Sequence, residues 1–211
     1  MKENIGIVGA GICGLSSALA LSKHENRITI YERDSAPPAG SPDEAFFDWS
    51  RRGAAQFRHP HAFLGVMCNL LQEHYPELVK KLWEAGARKI SFEEMVPDVL
   101  KESYVPMPDD KQMWLLMCRR ATMESVLRKY VEEIPSITIL SKHEVVAPEF
   151  ELRDSTISLQ GLQVRENRGP ICSVSHDLIV DAGGRNSKFP RWLGDRGATI
   201  GEEREDAEIV Y

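Results

Sequence analysis

The sequence predicts an α/β fold of the Rossmann-like type, with a parallel sheet and an added β-meander. Three observations predict it. Near the start of the chain, an apolar strand runs directly into a glycine-rich turn and a helix. Strand and helix patterns then alternate to about residue 140, as they do when helices connect the strands of a parallel sheet. Between about residues 143 and 176, apolar residues alternate with polar ones, which indicates an antiparallel ribbon.

The glycine-rich turn has the spacing of a dinucleotide-binding loop. Gly9 allows a tight turn, Gly11 lets the backbone approach a pyrophosphate, and Gly14 lets the helix pack closely on the sheet. The first turn of that helix offers free N–H groups to phosphates. Glu32 stands eighteen residues after Gly14, where an acid accepts hydrogen bonds from a ribose. The βαβ motif over residues 4–32 therefore predicts dinucleotide binding.

Later elements follow from apolar spacing and from glycine and proline. Apolar residues at helical spacing begin near Ala62 and include Val66 and Leu70. Beyond them we expect helices over residues 76–86 and 121–131, strands over residues 112–118, 137–140 and 178–180, and a short helix over residues 188–193. The alternation changes phase at Gly161, which predicts a turn or a bulge in the ribbon.

Composition restricts the class of protein. The chain has 211 residues, 42% of them hydrophobic, so it is long enough to bury a core. Its net charge of −6 argues against nucleic-acid and anionic-membrane partners. The four cysteines are scattered, which indicates reduced thiols and a cytoplasmic protein. The apolar N-terminal stretch contains glycines and falls short of the roughly 20 apolar residues of a membrane span, so we interpret it as a strand and a helix.

Four segments together carry a family resemblance. They are the glycine-rich loop with Glu32, residues 49–61, residues 118–128 and residues 180–187. This set resembles the flavoprotein monooxygenases of the para-hydroxybenzoate hydroxylase type and their relatives, the flavin halogenases and geranylgeranyl reductases. In that family the first segment holds the ADP half of FAD and the second lies along FAD. The third carries an arginine that reaches the flavin end, and the fourth closes over the pyrophosphate.

The resemblance implies a Rossmann-like FAD-binding fold whose substrate domain is largely absent. Residues 1–211 would form an incomplete FAD-binding domain, with the ribbon over about residues 143–176 and a glycine-turn motif over residues 178–193. The implied cofactor-binding residues are Gly9, Gly11, Gly14, Glu32, Arg51, Arg58 and Arg120. The complete family reduces FAD with NAD(P)H and then performs oxygen chemistry on a small organic substrate. No catalytic side chain is identified, because the flavin would carry the chemistry.

Other interpretations of these residues remain open. The same fingerprint fits an NAD-dependent dehydrogenase or a catalytically silent nucleotide-binding module. At the fourth segment the family's Asp or Thr position is Gly183, so Asp181 either caps the glycine turn or contributes to nicotinamide use. His61 is a candidate hydrogen-bonding residue, but no partner at ligand spacing indicates a metal site. Arg128 is expected on the exposed face of its helix. An exposed edge for the absent substrate domain predicts self-association.

Overall fold

The computed structural model describes residues 2–54, 56–153, 156–201 and 203. Ten strands and eight α-helices are described there, with 3-10 turns at Pro108–Gln112 and Gly184–Asn186. In chain order they are β1 (Asn4–Val8), α1 (Ile12–Ser22), β2 (Arg27–Glu32), α2 (Pro42–Asp48), β3 (Pro60–Phe63), α3 (Gly65–His74), α4 (Pro76–Glu84), β4 (Arg88–Ser91), α5 (Phe92–Met95), α6 (Asp98–Lys101), β5 (Trp114–Arg119), α7 (Arg120–Glu132), β6 (Ile137–Ser141), β7 (His143–Arg153), β8 (Thr156–Glu166), β9 (Ile171–Ser175), β10 (Leu178–Asp181) and α8 (Phe189–Gly194).

A four-stranded parallel sheet in the order β10-β1-β2-β6 forms the centre of the fold, which confirms the predicted α/β class. Ile7 of β1 lies between Ile30 of β2 and Val180 of β10. Ile7 and Ile30 are fully buried, as expected for strands covered on both faces. The carboxyl ends of β1, β2 and β10 consequently meet at one edge of the sheet.

A second, antiparallel sheet in the order β3-β5-β4 was only partly predicted. Residues 60–63 pair with β5 as a strand, so the prediction of a helix beginning near Ala62 is wrong there, and α3 starts at Gly65. Cys68 is the buried residue of α3, whereas Val66 is 77% exposed and Leu70 is 50% exposed. The four-residue strand was missed because its apolar residues continue the helical spacing of the segment that follows.

The ribbon is the predicted β-meander, with β7, β8 and β9 paired antiparallel. The β7–β8 register shifts between Glu149 and Phe150, opposite Gly161, so the predicted change of phase is a bulge within continuous strands. A Cβ on Gly161 would lie 2.2 Å from the Val174 carbonyl oxygen, so the close approach of β9 requires glycine.

Arg128 corrects one expectation, because its side chain is 1% exposed and not on a solvated face. It pairs with Glu132 at 2.9 Å and donates to Ser141 Oγ at 2.7 Å. Helix α7 packs against α1, α2 and α4, and this surrounding structure covers positions that the helical period assigns to the outside. In the described ranges, no helix has the length and apolar character needed to cross a bilayer.

Candidate functional site

A cleft of about 230 Å³ opens at the carboxyl ends of β1, β2 and β10. The loop after β1, the end of β2 and the turn after β10 line it, together with the starts of β7 and α7 and part of α8. In open α/β sheets, ligands bind in the crevice outside the carboxyl ends of the strands. This cleft is therefore the candidate functional site.

The three glycines of the first loop have different surroundings. Gly9 has a φ of +100°, and a Cβ there would lie 2.6 Å from the Ala182 carbonyl oxygen in the turn after β10. A Cβ on Gly14 would lie 1.9 Å from the Gly9 oxygen, so the packing of the loop requires both glycines. A Cβ on Gly11 would meet only Arg51 Nη2, at 3.9 Å, so Gly11 leaves open space on the cleft side.

The amino end of α1 presents unsatisfied donors to the cleft. Gly11 is the N-cap residue and no side chain caps the helix. The first N–H that bonds back to this N-cap is that of Leu15, which donates to the Gly11 carbonyl at 3.0 Å. The N–H groups of the first turn are thus available to an anion, and the helix dipole favours negative charge there.

Glu32 lies at the end of β2 with its side chain 6% exposed. Its Oε2 accepts from the Ala10 N–H at 2.9 Å, and its Oε1 accepts from the Asp34 N–H at 2.9 Å. Burial by itself would raise the pKa of Glu32. The positive charge of Arg51 and the two N–H donors outweigh burial and hold the pKa below its ordinary value, so Glu32 is an anion in this cleft.

Arg51 crosses the floor of the cleft with its side chain 7% exposed. Its Nε lies 3.2 Å from Glu124 Oε2, and its Nη2 donates to the Ala10 carbonyl at 3.2 Å. Its Nη1 lies 2.9 Å from Glu32 Oε2 as an ion pair but is not aligned for a hydrogen bond. Burial would lower the pKa of Arg51, whereas Glu32 and Glu124 raise it above its ordinary value.

Sequence reasoning missed two acids of this cluster. Glu124 is fully buried and accepts from Arg120 Nε at 2.7 Å as well as from Arg51. Asp34 accepts from Arg52 Nε at 2.9 Å. Glu124 stands four residues after Arg120, a spacing that places both on one helix face and could have indicated the pair. Its contact with Arg51 spans 73 residues and has no local signal.

Arg58 is not brought to the cleft with the other predicted residues. Its Nη2 donates to the Phe47 carbonyl at 2.9 Å, and its guanidinium lies 5.8 Å from the centre of the Phe46 ring. His61 is also outside the cleft lining, and its Nδ1 lies 3.0 Å from the His59 carbonyl oxygen. Gly9, Gly11, Glu32, Arg51 and Arg120 do line the cleft, and Gly14 packs behind its loop.

Asp181 stabilises the glycine turn after β10. Its Oδ1 accepts from the Gly183 N–H at 2.9 Å, and its Oδ2 accepts from Ser187 Oγ at 2.5 Å. Ser187 Oγ in turn accepts from the Phe189 N–H at 3.1 Å, at the start of α8. Two roles were left open for Asp181, and its contacts within the chain are those of a residue that caps the glycine turn. Within the described ranges, no three histidine, cysteine or acidic side chains gather as a metal site.

Sequence comparisons agree with this geometry. A family model described as an NAD(P)-binding Rossmann-like domain matches residues 7–67, which include the glycine loop, Glu32 and Arg51. Protein Rv3254 of Mycobacterium tuberculosis (strain ATCC 25618 / H37Rv) is 26% identical over the whole of this chain. The chain spans 44% of the length of that relative.

Solved structures share the fold. The flavin-dependent halogenase CmlS is 21% identical, with a TM-score of 0.61 over 92% of this chain and 31% of its own. The anhydrotetracycline hydroxylase OxyS from Streptomyces rimosus is 19% identical, with a TM-score of 0.62 over 92% of this chain and 34% of its own. The flavin-dependent monooxygenase PieE, solved with FAD and substrate, is 18% identical, with a TM-score of 0.61 over 92% of this chain and 32% of its own. The α/β Rossmann-like fold of this chain is therefore one that flavin-dependent enzymes also have.

Proposed function

We propose that the cleft binds FAD and that this chain is the FAD-binding portion of a flavin-dependent oxidoreductase with monooxygenase-like chemistry. The observation that carries the proposal is that the loop after β1 and the turn after β10 contact each other and border one cleft. A Cβ on Gly9 would collide with Ala182, so the two turns approach as closely as glycine allows. The flavin-dependent halogenase CmlS and the flavin-dependent monooxygenase PieE, which share the fold, support FAD as the ligand.

The residues present fit the ADP half of such a cofactor. The open side of Gly11 and the free N–H groups of α1 suit a diphosphate. An ionised carboxylate has roughly four acceptor positions. At Glu32, the N–H groups of Ala10 and Asp34 occupy two of these positions, which leaves acceptor capacity for a ribose hydroxyl. Arg51 Nη1 is buried without a hydrogen bond, so it is a donor that an incoming oxygen could satisfy.

The roles of the cofactor and of the protein follow from the chemistry of flavins. Bound flavin supplies electron transfer and reaction with oxygen, whereas the protein supplies binding and orientation. In this chain the glycine loop and α1 would hold the diphosphate, Glu32 the ribose, and Arg51 and Arg120 the remaining length of the cofactor. The proposal includes NAD(P)H as the electron donor and a small organic substrate. It also includes similarity to flavoprotein monooxygenases of the para-hydroxybenzoate hydroxylase type.

A second candidate is binding of NAD in the same cleft. The match to an NAD(P)-binding domain over residues 7–67 favours it. An acid at the ribose favours the unphosphorylated ribose of NAD over the phosphorylated ribose of NADP. FAD also has an unphosphorylated ribose, so Glu32 does not separate these two ligands, and the two candidates differ in which ligand remains bound.

The test is the visible spectrum of the purified chain after incubation with FAD and desalting. We expect retained oxidised flavin, with absorbance near about 450 nm. Gly11→Trp should abolish retention, because Gly11 lines the cleft and a Cβ there meets only Arg51 Nη2, at 3.9 Å, so we expect the indole to occupy the space of the cofactor. Gly194→Trp is the matched control, since a Cβ at Gly194 meets nothing within 4 Å and Gly194 is outside the cleft lining.

The outcomes separate the candidates. Flavin retained by the wild-type chain and by Gly194→Trp, but not by Gly11→Trp, supports the FAD site. Absence of flavin in a folded chain that binds NADH overturns the FAD proposal in favour of NAD. Absence of both ligands leaves a catalytically silent module.

A further inference from the structure

We infer that Glu124 is a specificity-determining residue of the cleft, and that its buried negative charge disfavours ligands carrying more phosphate charge than the internal diphosphate of a dinucleotide. The inference rests on the proposed function, because it concerns the same cleft. Glu124 joins two of the three arginines that line the cleft, Arg51 and Arg120, and the predicted set of cofactor-binding residues had assigned it no role.

The contacts of Glu124 come from two separate parts of the chain. Oε2 accepts from Arg51 Nε at 3.2 Å, and Oε1 accepts from Arg120 Nε at 2.7 Å. The Glu124 side chain is 0% exposed, that of Arg51 is 7% exposed and that of Arg120 is 29% exposed. One buried carboxylate therefore orients and partly neutralises both guanidinium groups, of which Arg120 is the more accessible to a ligand.

The charge around the cleft makes this neutralisation important. Among the described residues, nine charged side chains line the cleft, five acidic and four basic. The acids are Glu32, Asp34, Glu124, Glu144 and Asp181, and the bases are Arg33, Arg51, Arg120 and Lys188. The lining is thus slightly negative although its glycine loop suits a diphosphate. Ligand charge must then be matched by backbone N–H groups and by the few guanidinium donors left over.

Removing the Glu124 charge has a distinctive consequence. Glu124→Gln keeps the side-chain volume and one acceptor oxygen, but it removes the negative charge from between two arginines. Because Glu124 and Arg51 are buried and their charges are only weakly screened by solvent, Arg51 and Arg120 would then attract compact anions more strongly. A variant that merely damaged the fold would weaken binding of every ligand, whereas this inference predicts tighter binding of one.

The experiment is titration calorimetry of the full chain with inorganic pyrophosphate and, separately, with FAD. We expect Glu124→Gln to bind pyrophosphate about tenfold more tightly than wild type, with a smaller change for FAD. Glu132→Gln is the matched control, because it breaks another i,i+4 pair on α7, with Arg128, away from the cleft. Glu124→Asp retains the charge but shortens the reach to both arginines, so we expect about a threefold gain.

The results decide the two proposals separately. FAD binding by the wild-type chain tests the proposed function and does not depend on pyrophosphate. If Glu124→Gln binds pyrophosphate no more tightly than Glu132→Gln, the role of Glu124 is overturned, whatever the result for FAD. If Glu124→Gln fails to fold, Glu124→Asp decides the question, and equality of its pyrophosphate affinity with wild type overturns the inference.

Discussion

Arg51 Nη1 lies 2.9 Å from Glu32 Oε2 on the floor of the cleft, and both side chains are more than nine-tenths buried. The net contribution of such a pair to stability is small, because desolvation opposes the attraction between the charges. Loss of one partner is costly, however, because the other charge stays buried. A substitution in this pair should therefore change the free energy of unfolding as well as ligand binding.

Replacing Glu32 should destabilise the chain even without ligand. Glu32→Gln leaves Arg51 with Glu124 and Asp34, so we expect a loss of about 1–3 kcal/mol in the free energy of unfolding. Urea unfolding measures it. Glu144→Gln is the control, because Glu144 pairs with Arg165 where both side chains are over a third exposed, and such pairs contribute about 0–1 kcal/mol. Equal losses in the two variants would contradict the prediction.

The Glu32 carboxylate also predicts that the free energy of unfolding decreases at acid pH. The pKa of Glu32 is 4.5 in its ordinary state and lower in the folded chain, where the charge of Arg51 and N–H donors outweigh the effect of burial. The stabilisation is therefore complete above the ordinary value and is lost as the pH falls through the folded pKa. Below the ordinary pKa of 4.5, the free energy of unfolding should fall less steeply with decreasing pH in Glu32→Gln than in wild type. Parallel slopes would show that Glu32 does not carry this effect.

Replacement of Arg120 and replacement of Arg58 should have different effects on FAD binding. Arg120 lines the cleft, so Arg120→Ala should weaken FAD binding about tenfold or more. Arg58 donates to Phe47 outside the cleft lining, so Arg58→Ala should stay within about twofold of wild type. Flavin fluorescence titration measures both. A larger loss from Arg58→Ala would show that the site extends beyond the cleft described above.

Thiol labelling offers a test of cleft occupancy. Cys13 is exposed and lines the cleft, whereas Cys172 is exposed on β9 outside the lining. FAD should slow alkylation of Cys13 and leave the rate at Cys172 unchanged, as mass spectrometry of the peptides would show. Cys118 should react slowly in either case, because burial raises the pKa of its thiol to about 12. Equal protection of Cys13 and Cys172 would argue against binding at the glycine loop.

Exposed apolar side chains predict association of the isolated chain. Val66 is 77% exposed, Val99 is 88% exposed and Val105 is 78% exposed. Apolar side chains that form one contiguous exposed patch mark interaction sites or promote aggregation, and self-association requires these three side chains to lie in such a patch. Light scattering coupled to gel filtration should show a mass that rises with concentration, and Val66→Lys with Val99→Lys should reduce the rise. A monomer at every concentration would contradict self-association.

Features with local causes could be predicted from the sequence. The glycine turn after β1 and the strand β10 follow from neighbouring residues, because turn geometry and apolar runs leave short-range patterns. The burial of β10 does not follow in the same way, since it is an edge strand whose Leu178 is 42% exposed. The position of Glu32 at the cleft could likewise be predicted, because Glu32 ends the strand β2. The change of phase at Gly161 indicated a bulge for the same reason, since strand residues alternate between the two faces of a sheet.

Which charged residues meet depends on the packing of elements that are far apart in the sequence. Arg128 is buried and donates to Ser141 at the end of β6, and Arg58 donates to Phe47 outside the cleft lining. Glu124 reaches Arg51 across 73 residues. Such contacts depend on how distant elements pack, and the hydrophobic pattern that positions a helix does not specify the partners of its charges. The chain's local patterns therefore determined where the cleft lies, whereas long-range packing decided how its charges are paired.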